Sequence, residues 1–216
     1  MKEYHKIQTL FKRDMEAPGR PLIEGEWTTP EFEYLQDNQW VLTEKIDGTN
    51  IRVHYDGDEV LFGGRTDKAN IPPHLLSALN EMFPIDVLKY VFPDLEEGGS
   101  VCLYGEGYGH KIQKGHHYLG DDTSFILFDV MINDWWLKRN DCEDIATRLG
   151  IKIVPIVSVG TLWDAISLVK KGYKSFIAQD NSYDAEGLVA KPLCELKSRS
   201  GQRIVTKIKH RDFPSS

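Results

Sequence analysis

Two features predict an α+β fold with largely antiparallel sheets flanked by helices. Short β-type runs outnumber helical stretches, and they do not alternate with helices one for one, as a parallel βαβ array would require. Residues 1–39 are rich in Pro, Glu and Thr, with Pro18, Pro21 and Pro30, and read as an irregular lead-in holding one short helix or strand. From Trp40 the pattern turns β-type in WVLTEKI, NIRVHYD and EVLFGG. The last two runs are joined across Asp56-Gly57-Asp58, a hairpin signal. Helical periodicity covers 74–92 with a break at Pro84, which lacks the N–H that a helix interior needs. Strand-like runs return at 100–107 (SVCLYGEG) and 124–132 (SFILFDVMI). Residues 141–149 open with acids and close on Arg148 before Gly150, the charge order that a helix dipole favours. IKIVPIVSV reads as a strand kinked or edged by Pro155. TLWDAISLVKKG reads as a helix stopped at Gly172, and EGLVAK and RIVTKIK as the last strands.

A chain of 216 residues that is 41% hydrophobic and 27% charged can bury a core, and its length fits a single domain over 1–216, or at most two small ones. The net charge of −7 argues against nucleic-acid binding by bulk positive charge. That charge is unevenly placed. Residues 191–211 hold seven bases (Lys191, Lys197, Arg199, Arg203, Lys207, Lys209, Arg211) against Glu195, a stretch of +6, which leaves −13 on the remainder when subtracted from −7. Cys102, Cys142 and Cys194 form no CxxC pair and suit a reduced, cytoplasmic chain without structural zinc. No signal-peptide core or long apolar window occurs, so no membrane role is expected.

There is no GxxxxGK[ST] loop, and GEGYGH at 105–110 lacks the third glycine of a dinucleotide fingerprint. What remains is Lys45-Ile46-Asp47-Gly48, a lysine ending a strand with an acid and a turn glycine after it. Three such fixed positions recur by chance in roughly one chain in twenty of this length, so the motif is weak alone. It is followed in order by Gly64-Arg65-Thr66, Tyr104-Gly105-Glu106-Gly107, Phe128-Asp129, Glu186-Gly187-Leu188-Val189-Ala190-Lys191 and Lys207-Ile208-Lys209. With these segments, residues 44–211 resemble the covalent nucleotidyltransferase superfamily of polynucleotide ligases and capping enzymes. The closest likeness is to the phage-type RNA ligase 2 branch.

The resemblance implies an ATP-grasp-like ligase adenylylation domain and an ATP-dependent RNA ligase that joins a 3′-hydroxyl to a 5′-phosphate. It implies Lys45 as the residue that takes AMP. A free lysine, with pKa ~10.4, is almost wholly protonated at neutral pH and cannot attack phosphorus. Nearby cations, Lys207, Lys209 and a bound Mg²⁺ or Mn²⁺, would disfavour its charged form. Lys207 and Lys209 lie two apart on a strand and so share a face. By resemblance they meet the α-phosphate and stabilise the transition state. Asp47, Glu106 and Glu186 are the implied metal ligands, Glu186 acting in catalysis as well, and magnesium is commonly held by few carboxylates and much water. Arg65 is implied to clamp a phosphate, Phe128 to stack on adenine, Glu44 to read adenine, and Asn50 to lie near the nucleophile. Phe128 has a competing reading as a core residue beside Phe125 and Leu127. Lys191 either meets phosphate or belongs to the basic tail.

Only seven residues follow Lys209, which leaves no room for the OB domain of DNA ligases or the helical C-terminal domain of RNA ligase 2 relatives. The substrate expected is RNA ends or a nicked duplex, sealed by this chain alone or with an accessory protein that grips the RNA. Within the class, a minimal DNA ligase is the alternative. Outside it stand a metal-dependent phosphodiesterase built on His110, His116, His117, Asp121 and Asp122, and a non-catalytic RNA-binding module using the basic tail. The run GHKIQKGHHYLGDD is glycine-rich and polar and reads as a solvated loop.

Overall fold

The computed structural model describes residues 1–213. In chain order, the elements begin with β1 (Gln8–Thr9), β2 (Phe11–Arg13), β3 (Leu22–Trp27), α1 (Pro30–Tyr34), β4 (Trp40–Glu44), β5 (Thr49–Tyr55) and β6 (Val60–Gly63). There follow α2 (Pro73–Met82), α3 (Ile85–Val91), β7 (Val101–Gly109), α4 (His116–Leu119), β8 (Thr123–Ile132) and β9 (Trp135–Trp136). The last are α5 (Arg139–Leu149), β10 (Lys152–Ile153), β11 (Ile156–Gly160), α6 (Leu162–Lys171), β12 (Gly187–Pro192) and β13 (Thr206–Lys209). The mixed fold with mostly antiparallel sheets agrees with the sequence. The helical stretch splits at Pro84 into α2 and α3, and β5 and β6 form the expected hairpin.

The chain forms two compact units, one from Met1–Tyr4 and Asp47–Val154, the other from His5–Ile46 and residue 155 onward. In the first unit the sheet order is β10-β8-β7-β5-β6, with β9 beside β8. One face of this sheet packs Ile51, Val53, Leu103, Phe125, Leu127 and Val130 against the apolar sides of α2, α3 and α5. The alternate residues, Asn50, Arg52, Tyr104 and Glu106, take the other face.

The second unit holds the sheet β1-β13-β12-β4-β11 and the small pair β2-β3. Leu42, Leu188, Ala190 and Ile208 form its core face, packed by Leu162, Ala165, Ile166 and Val169 of α6 and by Leu10, Phe11 and Trp40. The segment read as an irregular lead-in supplies three strands and a helix. Its strands are two to six residues long, too short for hydrophobic alternation to register. Pro155 falls between β10 and β11, and it does more than kink one strand. β10 pairs parallel with β8 in the first unit, while β11 pairs antiparallel with β4 in the second.

Candidate active site

Three neighbouring strands of the second unit bring the lysines together. Gly187 is paired with Lys209 across β12 and β13, and its carbonyl accepts the backbone N–H of Lys45 at 2.9 Å. Gly187 therefore stands between the two lysines and presents no side chain. Its φ is +150°, and a Cβ there would lie 2.1 Å from the carbonyl oxygen of Ile208. Glu186, the residue before it, reaches both: Lys45 Nζ donates to Oε2 at 2.6 Å, and Lys209 Nζ lies 2.6 Å from Oε1. Lys45 Nζ also donates to the carbonyl of Ile46 at 3.2 Å. The three side chains are only 13–20% exposed, so water screens this triad weakly. Burial works against the Glu186 carboxylate most strongly. The charge of Lys45 and the hydrogen bonds from Lys209 and Lys45 outweigh burial and hold the carboxyl below its ordinary range.

Strand alternation decides which other residues join that face. Lys207 pairs with Val189, two residues from Lys209, and Lys191 lies opposite Val41, so both share the face of Lys45 and Lys209. Glu44 takes the opposite face. It pairs with Leu188, a core residue, and is 1% exposed. Its carboxylate accepts from the Ser175 hydroxyl and from the Phe176 N–H, the latter at 2.8 Å. Burial pushes the Glu44 carboxyl up, and the two hydrogen bonds offset part of that rise. Tyr173 donates to the Gly187 carbonyl at 2.6 Å, and its phenol is pushed up by burial and then by the charge of Glu44. Tyr173, Ser175 and Phe176 carry no sequence signal of a role, since they follow the helix stop at Gly172 and lie over 100 positions from Glu44.

In the first unit Glu106 lies directly across from Asn50. The glycines on either side of Glu106 explain the GEG pattern. A Cβ on Gly105 would lie 2.1 Å from Phe125 Cζ, and one on Gly107 would lie 2.5 Å from Leu75 Cδ2. Core side chains thus rest directly on the strand while Glu106 turns to the other face. Gly48 abuts the same place, since its Cβ would stand 2.8 Å from Glu106 Cγ. The Asp47 N–H donates to the Tyr118 hydroxyl at 3.1 Å, and Asn50 Oδ1 is buried without a hydrogen-bond partner among the described residues.

Phe128 differs from its apolar neighbours. Phe125 and Leu127 belong to the core, whereas Phe128 sits where the β7–β8 register shifts and is only half-buried. Tyr4 meets its ring edge-on at 5.0 Å, and the Tyr4 hydroxyl donates to Asp129. Arg65 is exposed, on a turn held by the buried Arg52, which donates to the Gly64 carbonyl at 2.7 Å and to Asp67 at 2.9 Å. The polar run at 110–122 is less solvated than its composition suggests. It contains α4, with Tyr118 and Ile112 buried. Among the described residues no three His, Cys, Asp or Glu side chains converge as a metal site.

A triphosphate suits the lysine face, where Lys45 and Lys209 share Glu186 and where Lys191 and Lys207 lie on the same side of the strands. A divalent ion suits it as a companion of phosphate, since magnesium is usually held by one or two carboxylates together with substrate phosphates. The fold matches solved structures of a Naegleria gruberi RNA ligase. An apo aspartate-to-alanine mutant aligns with TM-score 0.64 and 20% identity over 84% of this chain and 52% of that one. A lysine-to-alanine mutant with ATP and manganese aligns with 0.64 and 20% over 85% and 54%. A glutamate-to-alanine mutant with AMP and manganese gives 0.63 and 20% over 83% and 52%. This chain thus spans about half the length of those structures. A family model described as RNA ligase matches residues 38–209, most of the sequence, and the chain belongs to the RNA ligase family.

Proposed function

We propose that this chain is an ATP-dependent RNA ligase. Lys45 Nζ attacks the α-phosphorus of ATP as pyrophosphate leaves, and the AMP then passes to an RNA 5′-phosphate. A 3′-hydroxyl attacks that activated end, forming the phosphodiester and releasing AMP. The observation that carries the reading is the bridge Lys45–Glu186–Lys209 in a chain of the RNA ligase family.

The chain's own residues divide the work. Glu186 fixes Lys45 Nζ in position and is the nearest base for a proton that must leave before attack. Lys207 and Lys209 supply positive charge for the α-phosphate as negative charge builds in the transition state. Glu44 holds the 173–176 segment, and through the Gly187 carbonyl Tyr173 steadies the strand between the lysines. Asp47, Glu106 and Glu186 are the carboxylates that would serve a divalent ion, Mg²⁺ or Mn²⁺, through the water it retains, since the described residues form no closed three-carboxylate site. That ion, when bound, would offset phosphate charge and favour the neutral amine of Lys45. Asn50, near Glu106, has a buried oxygen free to accept from a ligand. Phe128 offers a half-exposed ring for adenine, and Arg65 an exposed guanidinium for the 5′-phosphate.

RNA ends, including nicks in a duplex, are the substrate in this reading, and repair of broken RNA is the purpose. Three free cysteines fit a reducing cytoplasm. No helix among the described residues is long and apolar enough to cross a membrane. Incubation with α-labelled ATP and Mg²⁺ or Mn²⁺ tests the first step. Label is expected on Lys45 and absent from Lys45→Ala. A labelled adduct that persists in that variant removes Lys45 from its role, and no adduct with either ion removes the activity.

A further inference from the structure

The basic run at 191–211 is only partly used at the lysine face. Arg203 is neutralised by a forked pair with Glu195. Just before it, residues 197–203 fold into a small hairpin in which Lys197 bridges Arg203 and the Ser198 N–H donates to the Gln202 carbonyl at 2.8 Å. Arg199 is exposed on that hairpin. Beside it is a groove of about 340 Å³ into which the N-terminal segment brings Lys6 and Gln8, while the hairpin brings Ser198, Arg199 and Gln202. Glu31 is the acid in its lining. Among the described residues no carboxylate lies within ion-pair distance of Lys6 or Arg199.

The groove adjoins the start of the strand that carries the lysine pair. β1 runs parallel to β13, with Gln8 beside Thr206 and Thr9 beside Lys207. Ile204 and Val205 line the groove and lead directly into β13, roughly 10 Å along the strand from Lys207. Lys6 and Arg199, with the amides and hydroxyls of the lining and Glu31 as its acid, match a sugar–phosphate backbone: guanidinium and ammonium take phosphates, and amides and hydroxyls take ribose hydroxyls. The stretch 191–211 carries +6 while the rest of the chain sums to −13, the difference from −7, so the basic side chains that a phosphate polymer can meet are concentrated there.

The geometry points to this groove as a phosphodiester-binding subsite that holds the RNA strand next to the lysine face, with Lys6 and Arg199 each on a phosphate. The inference rests on the RNA ligase reading, and its test separates the two. Binding of a 5′-labelled single-stranded oligoribonucleotide is measured against salt for the unaltered chain, for the double variant Lys6→Ala/Arg199→Ala, and for Lys12→Ala. Lys12 is an exposed lysine of the same unit outside the groove, paired with Glu26. Thermal melts check that the variants fold.

The double variant is expected to bind about tenfold more weakly, with a log affinity against log salt slope shallower by about 1.4, the share of two single-strand phosphates. Lys12→Ala is expected to leave that slope unchanged. Unaltered affinity and slope in the double variant, an equal loss in Lys12→Ala, or no binding by the unaltered chain would each overturn the subsite. Self-labelling of the unaltered chain with ATP alone decides the ligase reading separately, since it involves no RNA.

Discussion

Glu186 and Glu44 are both buried carboxylates of the second unit, yet their surroundings act on them in opposite directions. Glu186 is held below its ordinary range against the pull of burial by two lysines, and Glu44 is pushed above it by burial. The folded state thus favours ionised Glu186, whose contribution is complete above the unfolded value near 4.3 and disappears as pH falls through the lowered one. Glu186→Gln is expected to cost about 3 kcal/mol at neutral pH by leaving two buried ammoniums underpaired. In urea unfolding that deficit should hold down to about pH 4 and shrink only below it. A deficit already fading near pH 6 would contradict the pairing. For Glu44 the sign reverses: its contribution should rise as pH falls from the raised value toward about 4.3, read as the pH dependence of the difference between the unaltered chain and Glu44→Gln. Gly187→Ala sets a Cβ 2.1 Å from the Ile208 carbonyl and must part the strands that carry Lys45 and Lys209. About 3 kcal/mol of stability and about a hundredfold in the rate of Lys45 labelling should be lost; near-normal labelling would mean that strand spacing does not set the geometry. The residue types at these positions were legible in the sequence because chemistry restricts them. The face of each was not: Glu44 and Lys45 are adjacent in sequence but alternate to opposite sides of β4, and Phe128 alternates away from the core face of Phe125 and Leu127, while the register shift there returns Val130 rather than Asp129 to that face.

At the scale of elements, legibility followed length and punctuation. The split at Pro84, the hairpin at 56–58 and the end of α5 at Gly150 were signalled by residues with strong backbone preferences. The short strands before residue 30 had no such signal and are held by pairing: β1 against β13, and β2 against β3. Pro155 was legible as an interruption, but a change of partner from β8 to β4 depends on residues far along the chain. The helix α6 shows how an element can support the site without entering it. Thr161 caps its first turn, accepting from the Asp164 N–H at 3.1 Å while Asp164 accepts from the Thr161 N–H at 2.8 Å. At the other end the Val169 carbonyl bonds His210, the residue after Lys209, at 2.8 Å. Thr161→Ala should lower stability by about 1 kcal/mol, seen as an earlier urea midpoint with unchanged slope. Lys45 labelling at saturating ATP should not change, because the cap lies at the end of α6 remote from His210. A drop in labelling at full folding would show that α6 transmits more than stability.

Across the whole molecule, the net charge of −7 hid a division of labour, because the +6 stretch supplies both the lysine pair and the groove. Length bounded the chain at one domain or two small ones. Its buried apolar residues form two clusters with different dependence on chain continuity. Every member of the first, from Ile51 to Leu149, comes from the single uninterrupted stretch 47–154, while the second needs Leu10, Phe11, Trp40 and Leu42 from one end and Leu162, Leu188, Ile208 and Phe213 from the other. No periodicity within a short window reports that difference, since it is a property of which segments meet. It makes the two units unequal under dissection. An isolated fragment 47–154 retains its whole cluster and should unfold cooperatively on heating. Its stability should be reduced by about 2 kcal/mol, because the Asp129 carboxylate loses the Tyr4 hydroxyl and Arg52 loses the Met1 carbonyl. Restoring residues 1–4 as an added peptide is expected to recover little, because four residues pay their full ordering entropy for few contacts. A fragment from residue 155 onward keeps α6, β12 and β13 but lacks β4 and the residues at 10–42 that cover them, so it should show no cooperative transition. A broad, non-cooperative melt of fragment 47–154 would mean that its cluster depends on the rest of the chain after all.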